Sequence, residues 1–276
     1  MSKRLEIIIF DMDDTISESK TDVGEEMAHA ISNLLSITQV GIISGCAYTQ
    51  FTNQLLQPLE MYCPDIKNKY MYDPEDRAKG LYLMPSSGTQ LYHYQNDTWV
   101  QRYNENLHLR EKVEIYTVFE LACEATNLHP LYTGEYGEIA EDRESQITFS
   151  MLGQRAPLEV KKPYDPDQSK RLRVASWMNG YFAGSGSNFE VTVGGASSMD
   201  VTRKGSNKGA GVDKLIAFLD FIPKERILFV ADALFPGGND YSVRSLGIDC
   251  IQVKNPEETL EVINCVLDKE RRDASV

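Results

Sequence analysis

The N-terminal third of the chain alternates short, nearly uninterrupted apolar runs with stretches whose apolar residues recur every three or four positions. Leu5 to Phe10 is apolar except for Glu6, the pattern of a strand buried on both faces. From Asp22 onward, Val23, Met27, Ile31, Leu34 and Leu35 keep helical spacing. Val40 to Ile43 predicts a second buried strand, and Phe51 to Leu59 a second helix closed by Pro58. The same rhythm returns near the C-terminus, with a helix over Gly209 to Leu219, buried strands over Ile227 to Ala231 and Ile248 to Val253, and a last helix from Pro256.

The middle of the chain follows another period. Thr89 to Tyr94 and Thr98 to Tyr103 alternate about Gln95-Asn96-Asp97, which predicts a hairpin. In Ser145 to Met151, Gln146, Thr148 and Ser150 fall on one face and Ile147, Phe149 and Met151 on the other, as in an antiparallel sheet with one wet side. Helical stretches at about 109–127 and 168–182 accompany these strands, and Trp99 and Trp177 are expected in their core. The expected architecture is α/β. Residues 1–88 and 204–276 form a Rossmann-like core, a parallel sheet with helices on both faces, and 89–203 form an inserted α+β domain.

Charge and composition narrow the function. The 28 Lys and Arg against 41 Asp and Glu leave a net charge of −13, which repels a polyphosphate and argues against nucleic acid as a partner. No apolar run is long enough to span a bilayer, and residues 1–10 lack the features of a signal peptide. The five cysteines are scattered without a CxxC and the four histidines form no HExxH, which fits reduced thiols and gives no support to a zinc hydrolase. The expectation is a cytoplasmic protein acting on a small molecule, with no membrane partner.

Four stretches carry candidate chemistry. Asp11-Met12-Asp13-Asp14-Thr15 follows the first buried strand directly. Residues two apart on an extended chain point the same way, so Asp11 and Asp13 are expected to converge at the carboxyl edge of the sheet, where open α/β folds bind ligands. Two converging carboxylates call for a cation, and Mg²⁺ is a natural one. Ser44 and Gly45 end the second strand with a hydroxyl and free N–H groups suited to a phosphoryl oxygen. Lys208 stands in a glycine-flanked helix start, Gly205-Ser206-Asn207-Lys208-Gly209, from which its ammonium can offset carboxylates and a phosphate. Asp232 ends another buried strand, and a Pro-Gly-Gly turn brings Asn239 and Asp240 back beside it, either as further oxygen ligands for Mg²⁺ or as the N-cap of a helix. The segment from Arg155 to Arg173 adds six basic residues against three acidic ones, either a local excess able to recruit a phosphorylated molecule or a basic helix face that counters acidic neighbours.

These four stretches, in this order, resemble the haloacid dehalogenase superfamily of phosphotransferases. The resemblance implies Asp11 as the nucleophile that forms an aspartyl-phosphate and Asp13 as general acid and base. It makes Ser44 and Lys208 the holders of the phosphoryl group, and has Asp232 complete a magnesium site. The insertion is similar to the type IIB cap. The Pro-Gly-Gly-Asn-Asp string, the Val193-Gly194-Gly195 turn and Ser198-Met199-Asp200 are similar to those of eukaryotic-type phosphomannomutases. In that family cap arginines bind the distal phosphate of a hexose phosphate, and a Ser-x-Asp pair helps bind the sugar. By this likeness Arg143, Ser198 and Asp200 become substrate-binding candidates, and a homodimer through the cap is a further expectation. The chain departs from the pattern at Gln154 and about Lys161, each where an arginine is expected, and at Asp14 and Ala231, which replace glycines. The first two departures, Gln154 and Lys161, favour a Mg²⁺-dependent phosphatase of a sugar phosphate over a phosphomannomutase. Retention of both Asp11 and Asp13 speaks against a non-catalytic sensor.

Overall fold

The apolar runs become the centre of a seven-stranded sheet in the computed structural model, which describes residues 4–71, 80–131, 133–220 and 222–273. In chain order the strands are β1 (Ile7–Asp11), β2 (Gln39–Ile43), β3 (Leu81–Met84), β4 (Gln90–Gln95), β5 (Thr98–Asn104), β6 (Ala140–Asp142), β7 (Gln146–Ser150), β8 (Phe189–Gly194), β9 (Ser198–Arg203), β10 (Ile227–Ala231) and β11 (Asp249–Gln252). The larger sheet runs β11-β10-β1-β2-β3-β4-β5, parallel from β11 to β3 and antiparallel through β4 and β5. Residues Ile7 to Phe10 of β1 are wholly buried because both faces of the sheet are covered. Ile8 and Phe10 pack with the helices Glu25–Leu34 and Pro256–Asp273, whereas Ile7 and Ile9 pack with the helix Lys208–Phe218. Each such side chain contributes roughly 1.5–3 kcal/mol of burial.

The chain divides into two units, residues 1–104 with 207–276, and residues 105–206. The second boundary lies close to the expected one, but the first does not. The hairpin expected in the insertion is β4–β5, which extends the larger sheet through the β3–β4 pairing of Tyr82 with His93 and Leu83 with Tyr92. Its alternation marks a strand with one wet face without saying which sheet it joins. Trp99 therefore packs with Tyr70 and Tyr94 in the first unit, while Trp177 packs in the second as expected. Asn96 and Asp97 both take left-handed φ (51° and 58°), the two-residue turn that suits the strand twist.

Two further expectations change. Pro58 does not close its helix. A π-helical segment, Thr52–Leu56, joins Tyr48–Phe51 to Gln57–Tyr62, and its wider turn accommodates the proline. The strand expected to be buried near 248–253 is the sheet edge β11, with Asp249, Ile251 and Gln252 exposed.

The second unit is an antiparallel sheet in the order β6-β7-β9-β8. Ile147, Phe149 and Met151 face the helices Leu109–Thr126 and Ser169–Ser185 as the alternation predicts. Arg203 closes the unit on itself: its guanidinium bonds Glu111 and the carbonyls of Glu105 (2.6 Å) and Asn106 (3.0 Å).

A close approach positions the helix that begins at Lys208. A Cβ on Gly88 (φ +79°) would lie 2.5 Å from the Cα of Gly211, and one on Gly211 would lie 2.7 Å from the Cα of Gly88. Gly211→Ala should therefore push this helix off the sheet and lower stability by about 1–3 kcal/mol in urea unfolding. A loss below a few tenths of a kcal/mol would mean that this contact does not set the helix position.

Candidate active site

Asp11 is the last residue of β1, and its side chain is buried at the carboxyl edge of the sheet. Beside it, Lys208 opens the helix Lys208–Phe218, capped by Asn207, whose side chain accepts the Ala210 N–H at 3.0 Å. Gly209 N–H donates to the Ser242 hydroxyl (3.0 Å), tying the same helix start to the turn that carries Asp240. Lys208 Nζ, 2% exposed, lies 2.5 Å from Asp11 Oδ1 and 2.8 Å from Asp240 Oδ1. Asp232, just past the end of β10, completes the group: carboxylate oxygens of Asp11, Asp232 and Asp240 all lie within 4.8 Å of one another.

Burial decides the electrostatics here. Loss of water pushes Asp11 up to about 7; Lys208 opposes that rise and Asp240 adds to it. Burial also raises Asp232, helped by Asp240. Burial alone would lower Lys208, but Asp11 and Asp240 outweigh it and hold the ammonium above its ordinary range. One cation against three carboxylates leaves the cluster short of positive charge. Among the described residues, the buried Asp240 Oδ1 has only the Lys208 ammonium beside it and Oδ2 has no hydrogen-bond partner. An all-oxygen set of carboxylates with an unpartnered buried oxygen fits a hard divalent cation such as Mg²⁺.

Asp13 does not join this group. β1 ends at Asp11, and the Met12 carbonyl then accepts the N–H groups of Thr15, Ile16 and Ser17, so the chain turns before Asp13 can extend the alternation. Its carboxylate instead accepts the Lys20 N–H (2.8 Å) and the Ser44 hydroxyl (3.4 Å). The expected side-chain metal ligand is thus placed between β1 and β2, beside Ser44. Asp14 occupies the next position with φ 57°, a conformation glycine adopts freely, and its carboxylate accepts the Ser19 N–H at 3.0 Å. Ser44 is buried at the end of β2, where its hydroxyl also accepts the Cys46 N–H (3.2 Å), and the adjoining Gly45 is half-buried. Burial pushes the nearby Cys46 thiol up to about 11, away from nucleophilic character.

Of the two candidates after the Pro-Gly-Gly turn, Asn239 is exposed and Asp240 is fully buried. Asp240 does stand at the N-cap of the short helix Tyr241–Leu246, yet its side chain makes no capping bond and faces Lys208. Thr15 is a participant that no periodicity singles out. Its hydroxyl lies 3.4 Å from Asp11 Oδ2 and accepts the Asp232 N–H at 3.1 Å, bridging the ends of β1 and β10.

The remaining candidates lie in the second unit. Asp200 on β9 accepts the hydroxyl of Thr148 on β7 at 2.7 Å, and burial raises its pKa. Ser198 is half-buried at the start of β9. Arg143 is held by Glu141: Nε and Nη2 both donate to one carboxylate oxygen, at 3.0 and 2.7 Å. The Gln154 amide nitrogen donates to the carbonyls of Ile139 and Thr148, both at 2.9 Å, and Lys161 Nζ donates to the Gln154 carbonyl at 3.1 Å. In the basic segment, Arg171 is buried, paired with Asp165 at 2.9 Å and bonded to the carbonyls of Gly194 and Gly195. Lys170 donates to the Tyr164 carbonyl at 2.7 Å. With Lys161, three of the six cations in that segment therefore serve the fold.

The model of the eukaryotic phosphomannomutase family matches residues 27–269. The chain is 25% identical over 262 residues to the phosphomannomutase of Spinacia oleracea, covering 92% of this chain and 93% of that one. It is 24% identical over 267 residues to that of Saccharomyces cerevisiae, covering 93% and 92%. Among solved structures, the IMP-bound IMP-nucleotidase of Plasmodium falciparum superposes with a TM-score of 0.65 at 18% identity, covering 96% of this chain and 68% of that one. A haloacid dehalogenase-like hydrolase from Bacteroides thetaiotaomicron superposes with a TM-score of 0.63 at 12% identity, covering 95% and 100%. The chain belongs to the eukaryotic phosphomannomutase family and is an enzyme of the haloacid dehalogenase superfamily of phosphotransferases and phosphatases.

Proposed function

We propose that this protein is a Mg²⁺-dependent phosphatase acting on a sugar phosphate or a related small phosphate ester. The buried group of Asp11, Lys208, Asp232 and Asp240 at one sheet edge is the observation that carries the reading. Asp11 attacks phosphorus in line, forming the aspartyl-phosphate bond as the P–O bond to the alcohol breaks. Asp13 delivers a proton to the departing alkoxide. It then takes a proton from the water that cleaves the aspartyl-phosphate, releasing inorganic phosphate and restoring the Asp11 carboxylate. Lys208 and the Ser44 hydroxyl hold the phosphoryl oxygens. Asp11, Asp232 and Asp240 would hold the metal, which supplies positive charge against the phosphoryl oxygens.

The choice of water over a sugar hydroxyl as acceptor rests on the second unit. A mutase must grip a bisphosphate by either end, which calls for free guanidinium forks. Here the Gln154 amide nitrogen is committed to two carbonyls and Arg143 already has a carboxylate partner. The mutase reading keeps its own support in the family match and in the pair Ser198 and Asp200.

The deciding experiment is a Mg²⁺-dependent screen of sugar phosphates with and without hexose 1,6-bisphosphate. Free phosphate should appear in proportion to substrate consumed, with no need for the bisphosphate. Interconversion of mannose 1-phosphate and mannose 6-phosphate with little phosphate released would establish the mutase instead.

A further inference from the structure

β3 ends in a turn of unusual backbone. Ser86 (φ 49°, ψ 49°) and Ser87 (φ 57°, ψ 31°) both adopt the left-handed region, and Gly88 (φ 79°) follows. Serine enters that region at a cost that glycine avoids, so the surroundings must hold the turn in place. Ser86 N–H donates to the Cys46 carbonyl (2.9 Å), and Ser87 N–H donates to the Ser44 carbonyl (2.8 Å). Gly88 meets Gly211 in the helix that Lys208 opens. The turn is thus wedged between the two elements that carry the candidate phosphoryl-holding groups.

All of these restraints act on the backbone, and glycine would satisfy them equally well. Neither serine hydroxyl contributes to them. Ser86 Oγ is buried with no hydrogen bond, and the Ser87 hydroxyl has no partner among the described residues. The two differ in access. Ser86 is 4% exposed, whereas Ser87 is half-buried and therefore reachable. Ser87 Oγ is also the nearest atom to the place a Cβ on Gly45 would occupy, at 3.9 Å, so it faces the Ser44–Gly45 loop across a position with no side chain.

We propose that Ser87 is a further substrate-contacting residue, whose hydroxyl donates to a phosphoryl oxygen held beside Ser44. This deepens the phosphoryl-transfer reading and rests on it. The left-handed turn sets the accessible Ser87 hydroxyl against the Ser44–Gly45 loop, where a phosphoryl oxygen held by Ser44 can accept its hydrogen bond.

The test compares Ser87→Gly with Ser86→Gly in the full chain, because both substitutions suit the left-handed backbone. Three quantities are read: the melting temperature, kcat/KM for p-nitrophenyl phosphate, and calorimetric affinity for inorganic phosphate in Mg²⁺. Both variants should melt at or above wild type. Ser87→Gly should lose about tenfold in phosphate affinity and in kcat/KM, the scale of one hydrogen bond to a charged group, while Ser86→Gly keeps both. Ser87→Gly within twofold of wild type in phosphate affinity would overturn the proposal, as would a wild-type protein that binds no phosphate. A wild type that binds phosphate in a Ser87-dependent way but releases none from esters would uphold the role of Ser87 and overturn the phosphatase reading instead.

Discussion

Asp11→Asn is expected to abolish phosphate release from every ester while making the metal-free protein more stable. An amide oxygen cannot form the aspartyl-phosphate, so kcat should fall by a thousandfold or more, and retention of a tenth of the wild-type rate would remove Asp11 as nucleophile. The stability effect follows from the raised pKa. Burial pushes Asp11 up to about 7 from 3.8, so between about pH 4 and pH 7 the folded metal-free protein holds a proton that the unfolded chain has released. Stability contributed by this group therefore falls as pH rises through that window and levels off above it. Asparagine does not titrate. In EDTA the variant should gain on wild type from pH 5 to pH 8, as melting temperatures will show. Mg²⁺ should reverse the ranking, because the cation favours the ionised carboxylate that only wild type has. A variant that melts below wild type in EDTA at pH 8 would contradict the account of the cluster as short of positive charge.

Lys208→Met should have the opposite effect on stability. The ammonium is buried between Asp11 and Asp240, and removing one partner from a buried ion pair costs about 3–5 kcal/mol. Three carboxylates then remain within 4.8 Å of one another without an internal counter-charge. The loss in urea unfolding should be greatest near pH 8 and shrink toward pH 5, where Asp11 and Asp232, both pushed up by burial, can take up protons instead. Mg²⁺ should restore part of the lost stability by supplying positive charge. It should not restore turnover, since the group that holds the phosphoryl oxygens is gone. A loss below about 1 kcal/mol in EDTA at pH 8 would show that Lys208 does not neutralise the cluster.

Much of the first unit was legible along the chain. Leu5 to Phe10, Val40 to Ile43 and Ile227 to Ala231 are short apolar runs, and a run of that length bounded by polar residues has few ways to bury itself except as a central strand. A residue that directly follows such a run is carried to the strand end by covalent geometry alone. Asp11, Ser44 and Asp232 were identifiable for that reason, and Lys208 because it opens a helix whose start, capped by Asn207, is set just as locally. The alternation of Gln146 to Met151 likewise determined which face of β7 is apolar.

Tertiary structure decided whatever depends on how separate segments meet. A two-residue period marks a strand with one wet face but carries no label for its partner, so only the pairing with β3 assigned the β4–β5 hairpin to the larger sheet. That Asp240 stands beside Asp11 turned on the docking of the 232–240 turn against Lys208, between segments far apart in sequence, whereas Asp13 is carried away by a local reversal at the Met12 carbonyl that strand periodicity does not record. The commitment of Gln154 to the carbonyls of Ile139 and Thr148, and the left-handed turn of Ser86 and Ser87 held by the carbonyls of Cys46 and Ser44, are of the same kind as that docking. Hydrophobic periodicity records which residues leave water, a local property of each element. Hydrogen bonds and ion pairs record which groups arrive together, and that is determined only when the elements pack.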